Sequence, residues 1–383
     1  ELFALSGNPL EPSYTLPKIL WYKKHKPEIY SKIYKILQSN SYIAYKLTGK
    51  ITQDKSQGYG YQCFDMHTGV WDDTMCEKLG IDRDMLPDIY ECHQVIGTVS
   101  MQAARETGLH VGIPVVAGGL DAACGTLGVG VLNNGQTQEQ GGQAGGMSIC
   151  TDKYHADKRL ILSCHVVPDK WLLQGGTVGG GGSVKWFEEQ FGQAERIVAK
   201  LNGTNSFEEM STLAGSITHG SDGLIFLPYM QGERSPIWDT KAKGVYFGLD
   251  YSKTRAHMIR ATFEGVAYSL RHNLEIAEKV GAKSSVLHAM GGAANSKVWT
   301  QIKADVTGKP IDTYASDTAT TLGAAILAGV GVGVYKDFEE AVNKTVYIKR
   351  SFEPDMQKHE DYEKYYEIYL ELYDKLKDTM KKL

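Results

Sequence analysis

Glycine is concentrated in three clusters of this chain, at residues 141–146, 179–182 and 291–296. A backbone without Cβ can approach another backbone or a phosphate closely, and the N–H groups at a helix start favour anions. The second and third clusters each precede a predicted helix, whose dipole adds to this preference. Turns and tight packing also use glycine, and the chain has neither a P-loop nor a GxGxxG fingerprint after a first strand. Three clusters together nevertheless favour a phosphate or nucleotide site.

Strands and helices alternate along the chain, which predicts an α/β fold. A β-branched run at 113–117 is followed by glycines and then by a helical pattern at 122–127. Further helices are predicted at 184–191, 255–280, 296–307 and 320–329.

Four more local patterns predict helices. The apolar spacing in residues 17–47 predicts two helices broken around Pro27, and residues 75–79 predict a short helix ended by Gly80. The apolar run 322–334 predicts a buried helix and its exit. The tyrosines within 355–383 recur at helical spacing, so this segment is expected to form an amphipathic helix packed on the body.

Length and composition narrow the classes of function. The 383 residues, 42% of them hydrophobic, are enough for two domains. The 41 Lys plus Arg against 45 Asp plus Glu give no basic excess, so we expect a small-molecule partner and no nucleic acid. No apolar run approaches the roughly 20 residues that span a bilayer, so no membrane association is expected. The six cysteines lack CxxC spacing, which predicts a reduced, cytoplasmic protein. A homodimer is the oligomeric state considered for this protein.

One carboxylate occupies a position suited to chemistry. Asp121 follows Gly118 and Gly119 at the end of a predicted strand, and ligands of open α/β sheets bind beyond the carboxyl ends of strands. The alternative is that Asp121 only caps the following helix. Glu233 and Arg234 are adjacent opposite charges, and we interpret them as an ion pair or a loop anchor. The eleven histidines are dispersed, which argues against a metal site built from imidazoles.

Taken together, these segments resemble the FGGY family of carbohydrate kinases. The resemblance runs from about Gly7 to about Phe352, and order and spacing agree over many separate segments. The segments that carry it are 7–8, 15–21, 68–72, 112–121, 232–236, 244–249, 291–296 and 299–308. It implies two actin-like (ribonuclease H-like) α/β domains with a cleft between them, and transfer of the γ-phosphoryl group of ATP to a sugar hydroxyl with Mg²⁺ as cofactor.

The resemblance also implies roles for particular residues. Asp121 matches the catalytic carboxylate, which would accept the proton of the sugar hydroxyl and help to hold Mg²⁺. With Ala122 it would also contact the sugar. Gln143 replaces the family's usual Thr beside the phosphates, and Ala122 replaces an Asn that is usual in the xylulose kinase branch. The residues that match the family's nucleotide site are Gly142, Gln143, Gly181, Lys185, Gly291, Gly292 and Ser296.

The family's first domain normally opens with a hairpin that carries an Asp-x-Gly-Thr motif, and no such motif precedes Gly7 here. We therefore expect an N-terminal segment to be missing. Residues 1–127 are assigned to the remainder of the sugar domain, and 128–383 to the ATP domain with a terminal helix. A pentulose such as xylulose is the leading substrate. Gluconate, ribulose and glycerol are the other acceptors considered, and a non-catalytic actin-fold protein that binds sugar or nucleotide is the alternative class.

Overall fold

The computed structural model describes residues 1–315 and 318–383. Over this part of the chain, short strands alternate with helices of 4 to 25 residues. The helices are α1 (Leu2–Ser6), α2 (Thr15–His25), α3 (Pro27–Tyr30), α4 (Ser39–Thr48), α5 (Asp73–Leu79), α6 (Met101–Thr107), α7 (Asp121–Gly128), α8 (Gly181–Phe191), α9 (Gln193–Asn202), α10 (Ser206–Gly215), α11 (Arg255–Lys279), α12 (Lys297–Thr307), α13 (Ala319–Gly331), α14 (Phe338–Thr345) and α15 (Met356–Met380).

The strands are mostly three to seven residues long. They are β1 (Thr52–Asp54), β2 (Phe64–Asp65), β3 (Val70–Trp71), β4 (Asp88–Tyr90), β5 (Val95–Thr98), β6 (Pro114–Val116), β7 (Gln136–Gly141), β8 (Gly145–Thr151), β9 (Ile161–Cys164), β10 (Trp171–Thr177), β11 (Ile225–Leu227), β12 (Val245–Phe247), β13 (Val286–Met290), β14 (Ile311–Tyr314) and β15 (Ile348–Phe352). Short 3₁₀ helices include Lys55–Tyr61 and Gly292–Asn295.

The chain forms two compact units, and neither is continuous in sequence. The first unit contains Glu1–Asn134, Cys150–Leu173 and Thr318–Val346. The second contains Gly135–Ile149, Gln174–Asp317 and Tyr347–Leu383. The division of the chain at residue 127 stays a prediction about domains. Within residues 1–315 and 318–383, none of the helices combines the length and apolarity needed to span a bilayer.

In the first unit, the helical prediction for residues 17–47 was wrong in the middle. Helix α2 ends at His25 and α3 starts at Pro27, as a proline at a first helical position allows, but α3 ends at Tyr30 and α4 begins only at Ser39. The intervening backbone bonds elsewhere, because the N–H of Ile36 donates to the carbonyl oxygen of Met85 over 2.9 Å. A long-range hydrogen bond thus replaces the helical one that the local pattern predicted.

The short helix at 75–79 is confirmed. Helix α5 begins two residues earlier than the pattern, because the carboxylate of Asp72 accepts a 2.6 Å hydrogen bond from the N–H of Met75. Its end is set by Gly80, whose φ of 62° places it in the left-handed region that glycine tolerates best.

The strand, turn and helix predicted around residues 113–127 are also confirmed as β6 and α7. Helix α7 packs against α13 at very short range. A Cβ added to Gly128 would lie 1.8 Å from the carbonyl oxygen of Ala319, and one added to Gly323 would lie 1.8 Å from that of Cys124. The buried helix and its exit predicted at 322–334 correspond to α13, which ends at Gly331 and is buried on one face only. Its small residues serve close contact with α7 on that face.

Six strands that lie wholly or partly in the second unit have the order β15-β14-β13-β7-β8-β10. Strand β13 is parallel to both β7 and β14, whereas β7–β8 and β14–β15 are antiparallel. Helices α11, α12 and α15 supply the apolar core, where the ring of Phe263 stacks on that of Trp299 with centroids 4.8 Å apart. Because β7 and β13 run parallel, their carboxyl ends bring two of the glycine clusters to the same edge of the sheet.

The tyrosine-rich terminal helix is confirmed. Tyr362, Tyr366 and Tyr369 of α15 are buried in the core of the second unit. Buried hydroxyl groups need partners, and that of Tyr362 donates to the carboxylate of Glu264 over 2.8 Å and accepts from Arg260 over 3.0 Å. The stripe is therefore structural, as its helical spacing indicates.

Candidate functional site

The three glycine clusters come together in the second unit. Gly141 ends β7, Gly181 begins α8, and Gly291 follows β13. The N–H of Gly181 donates to the carbonyl oxygen of Gly142 over 2.7 Å, and that of Gly182 donates to Gln143 over 2.9 Å. The first two clusters are thus joined by backbone hydrogen bonds.

Close packing explains why these positions are glycines. A Cβ on Gly181 would lie 2.6 Å from the carbonyl oxygen of Gly142, and a Cβ on Gly291, whose φ is 87°, would lie 2.9 Å from that of Gly141. Contacts this short exclude any side chain. The N–H groups of Gly181 and Gly182 are already used between the loops, so their first role is to shape the site. Gly292 differs, because a Cβ there would meet no protein atom within 4 Å.

A cavity of about 790 Å³ opens beside these loops. This volume lies in the range of ligand-binding clefts, about 300–1,000 Å³. Six of the seven residues expected to contact the nucleotide line it, and they are Gly142, Gln143, Gly181, Lys185, Gly292 and Ser296. The seventh, Gly291, is packed against Gly141 at the base of the same loops.

The other walls of the cavity were missed by sequence reasoning. They come from α10 and the segment before it, from the start of α12 and from β15, and they include Asn205, Phe207, Ser211, Thr212 and Arg350. None of these residues belongs to a glycine cluster or to a recognisable motif. Their nearness to the glycines depends on how α10 and β15 pack, so no local signal in the sequence would have identified them.

Ser296 fixes one side of the cavity. Its hydroxyl oxygen accepts from the N–H of Trp299 over 3.2 Å, so it caps α12, and it lies 2.9 Å from the hydroxyl of Ser211 on α10. It therefore ties together two helices that line the cavity.

The side chain of Lys185, in contrast, is 61% exposed, and its Nζ lies 3.8 Å from Glu189. Its ammonium is free to turn toward an anion in the cavity.

Glu233 anchors the loop that carries the second glycine cluster, residues 179–182. One carboxylate oxygen accepts 2.7 Å hydrogen bonds from the N–H groups of Val178 and Arg234, and Val178 directly precedes residues 179–182. Of the two interpretations of this charged pair, the loop anchor is correct. Burial raises the pKa of Glu233 to about 7, although the two N–H groups oppose that shift.

Asp121 lies in the first unit as the first residue of α7. Its carboxylate is exposed, and one oxygen accepts a 2.7 Å hydrogen bond from the N–H of Ala122. Leu120, and not Asp121, is the capping residue of the helix. The other carboxylate oxygen makes no hydrogen bond with the described residues, so it is available to a ligand.

The same unit holds a second cavity, of about 370 Å³, that the sequence did not predict. Its walls are rich in hydroxyl and amide groups, among them those of Ser13, Thr15, Gln38 and Tyr59. The amide of Gln38 donates to the hydroxyl of Thr15 over 3.0 Å. Such a lining suits a polyhydroxy ligand more than an apolar one.

Among residues 1–315 and 318–383, no group of three or more His, Cys, Asp or Glu side chains is arranged to hold a metal ion. Mg²⁺ is commonly held by one or two carboxylates together with substrate phosphates and waters. An exposed carboxylate with one unengaged oxygen, as at Asp121, fits that mode of binding.

Comparison with known proteins places the chain in a family. The profile for the N-terminal domain of the FGGY family of carbohydrate kinases matches residues 1–128, and the profile for its C-terminal domain matches 153–332. A xylulose kinase of Staphylococcus epidermidis is 32% identical over 365 residues, which are 94% of this chain and 71% of that protein. A gluconokinase of Bacillus subtilis is 30% identical over 88% of this chain and 66% of its own length.

The fold agrees with these matches. The crystal structure of xylulose kinase from Rhodospirillum rubrum superposes with a TM-score of 0.88 and 28% identity, covering 99% of this chain and 75% of that one. The expected two-domain, actin-like α/β architecture is confirmed by this likeness.

Proposed function

The chain belongs to the FGGY family of carbohydrate kinases, and from this premise we propose that it transfers the γ-phosphoryl group of MgATP to a hydroxyl of a pentulose, with xylulose as the leading substrate. The observation that carries the proposal is the meeting of the three glycine clusters around a nucleotide-sized cavity. Its similarity to xylulose kinases over most of the chain supports the choice of sugar.

The nucleotide is assigned to the cavity of the second unit. Gly142, Gln143 and Gly181 lie where loop backbones meet, and we assign the phosphates to them. Lys185 supplies an exposed positive charge beside these loops. Gly292, with open space in place of a side chain, lets the nucleotide approach the backbone. Ser296 holds the α10–α12 side of the cavity in place.

Asp121 is assigned the role of general base. Its exposed carboxylate would accept the proton of the attacking sugar hydroxyl and orient that oxygen toward the γ-phosphorus. Phosphoryl transfer has a loose transition state that demands positioning and charge stabilisation more than base strength. Mg²⁺ held with the nucleotide phosphates supplies further charge neutralisation when bound. The polar cavity near Ser13 and Thr15 offers hydroxyl and amide partners for the sugar.

Gluconate is the second candidate substrate, because a gluconokinase is among the relatives at 30% identity. The residue at position 122, Ala122, also favours an acceptor other than xylulose. It stands where the xylulose kinase branch usually has Asn, and losing one polar partner of a substrate hydroxyl can change preference by orders of magnitude.

The test is a phosphotransfer assay on the protein expressed from its complete coding sequence. ADP release would be measured with MgATP and D-xylulose, D-ribulose, gluconate or glycerol, and the sugar phosphate would be identified by mass spectrometry. We expect ADP release that requires a sugar, with the highest kcat/KM for xylulose. ADP release that is the same with and without every acceptor would refute the kinase assignment. A higher kcat/KM for gluconate than for xylulose would make gluconate the assigned substrate.

A further inference from the structure

The turn that carries Asp121 is held from outside by a buried serine. The N–H of Leu120, the residue before Asp121, donates a 2.8 Å hydrogen bond to the hydroxyl oxygen of Ser56. Ser56 is completely buried in the 3₁₀ helix Lys55–Tyr61. On the other side of the turn, the N–H of Gly118 donates to the carbonyl oxygen of Cys92 over 3.0 Å. The backbone is therefore fixed on both sides of residues 118–120.

Ser56 is itself oriented by a buried carboxylate. Its hydroxyl donates to Oδ1 of Asp54, so a lone pair of the hydroxyl oxygen is left to accept the N–H of Leu120. The side chain of Asp54 cannot turn away, because Oδ2 accepts from the amide of Asn40 over 2.7 Å and from that of Gln53 over 3.0 Å. Asp54 is only 1% exposed.

Little space exists for the turn to move. A Cβ on Gly119 would lie 2.5 Å from Cγ1 of Val166 and 3.4 Å from the hydroxyl oxygen of Ser56. The turn is therefore packed between Val166 and the 3₁₀ helix, and Asp121 leaves it with a defined direction.

We propose that Asp54 and Ser56 are positioning residues for Asp121, acting through the chain of hydrogen bonds Asp54–Ser56–Leu120. The inference rests on the proposed function only in naming Asp121 as the general base. Asp54 fixes the orientation of the Ser56 hydroxyl, and Ser56 fixes the backbone at Leu120. The carboxylate of Asp121 is thereby held beside the position that the sugar hydroxyl must occupy. Displacing a reacting group by about 1 Å can cost 10²-fold in rate.

The first test measures kinetics on the protein from its complete coding sequence. In Ser56→Ala we expect kcat to fall about 10- to 100-fold while KM for ATP stays within about twofold, because the nucleotide cavity is untouched. Asp54→Asn retains an acceptor for the Ser56 hydroxyl, so it should lose less activity than Asp54→Ala. Introduced into an Asp121→Ala background, Ser56→Ala should cost nothing further, since its effect passes through Asp121.

Ser6→Ala is the matched control. Ser6 is also a completely buried serine of this unit, and its hydroxyl donates to the carbonyl oxygen of Leu2 over 2.9 Å and, among the described residues, bonds neither to Asp54 nor to the turn. We expect kcat within about twofold of wild type for this variant. A Ser56→Ala variant whose kcat falls no further than that of Ser6→Ala, or whose KM for ATP rises as much as kcat falls, would overturn the proposal.

The second test does not depend on activity. Deuterium uptake of peptides covering residues 117–123 reports on the amide of Leu120, which should exchange faster in Ser56→Ala and at the wild-type rate in Ser6→Ala. If uptake in Ser56→Ala equals that of wild type, the anchoring is absent and the proposal fails. If uptake rises but the wild-type protein phosphorylates no sugar, the anchoring stands and the proposed function is what fails.

Discussion

Lys303 and Glu139 form a buried ion pair directly behind the first glycine cluster, with 2.6 Å between Nζ and Oε1 and side chains only 3% and 4% exposed. The ammonium also lies over the ring of Trp299, 4.6 Å from its centroid. A Cβ on Gly141 would lie 3.3 Å from Nζ, so the pair supports the backbone that lines the cavity of the second unit.

Removing one member of this pair should lower the stability of the fold strongly, whereas removing both members should lower it much less. Lys303→Met leaves the Glu139 charge buried without its partner, so we expect a loss of roughly 3–5 kcal/mol in the free energy of unfolding. The double variant Glu139→Leu with Lys303→Met should recover most of that loss. Denaturant titration of the three proteins checks this, and a double variant less stable than the single one would contradict it.

Gly292→Ala should weaken nucleotide binding without harming the fold. The added Cβ meets no protein atom within 4 Å, and Gly292 lines the cavity. We expect an affinity for a non-hydrolysable ATP analogue about tenfold weaker, which corresponds to ~1.4 kcal/mol, and an unchanged Tm. Gly215→Ala is the control, because Gly215, the last residue of α10, does not line the cavity and its added Cβ would make only an ordinary contact, 3.4 Å from Val298 of α12. Titration calorimetry showing equal affinity for both variants would place the nucleotide elsewhere.

Asp121→Ala should abolish phosphotransfer while the protein still folds and binds nucleotide. Loss of a general base typically costs 10²–10⁴-fold, so kcat should fall by at least about 10²-fold. Asp73→Ala is the matched control, since Asp73 is also the first residue of a helix in the same unit and its side chain is 84% exposed. Turnover of Asp121→Ala within about threefold of wild type would remove the catalytic assignment.

The buried Glu233 should give the protein a measurable pH dependence. Its pKa is raised from the ordinary 4.5 to about 7, so the folded state favours the protonated acid. The stability of wild type should be greatest below pH 4.5 relative to Glu233→Gln, and this advantage should be lost as the pH rises toward about 7. The difference between the two proteins should change by at most roughly 3 kcal/mol. If the pH profiles of Tm for wild type and Glu233→Gln run parallel, Glu233 is ionised in the folded protein and its pKa is not raised.

The sequence by itself determined the family, the α/β alternation and six of the residues that line the cavity of the second unit. These inferences succeeded because their causes are local. A glycine at a left-handed φ, as at Gly80, a strand followed by a turn and helix, as at Asp121, and an apolar stripe at helical spacing, as in α15, each leave a pattern within a few residues.

Only the tertiary structure decided which distant groups meet. It placed Arg350 of β15 and Ser211 of α10 in the cavity wall, ended α3 at Tyr30, and joined Ser56 to Leu120 across 64 positions of sequence. A hydrogen bond between residues so far apart leaves no periodic or local mark, because any buried hydroxyl can serve as its acceptor. Packing chooses the partner, and that choice exists only once the chain has folded.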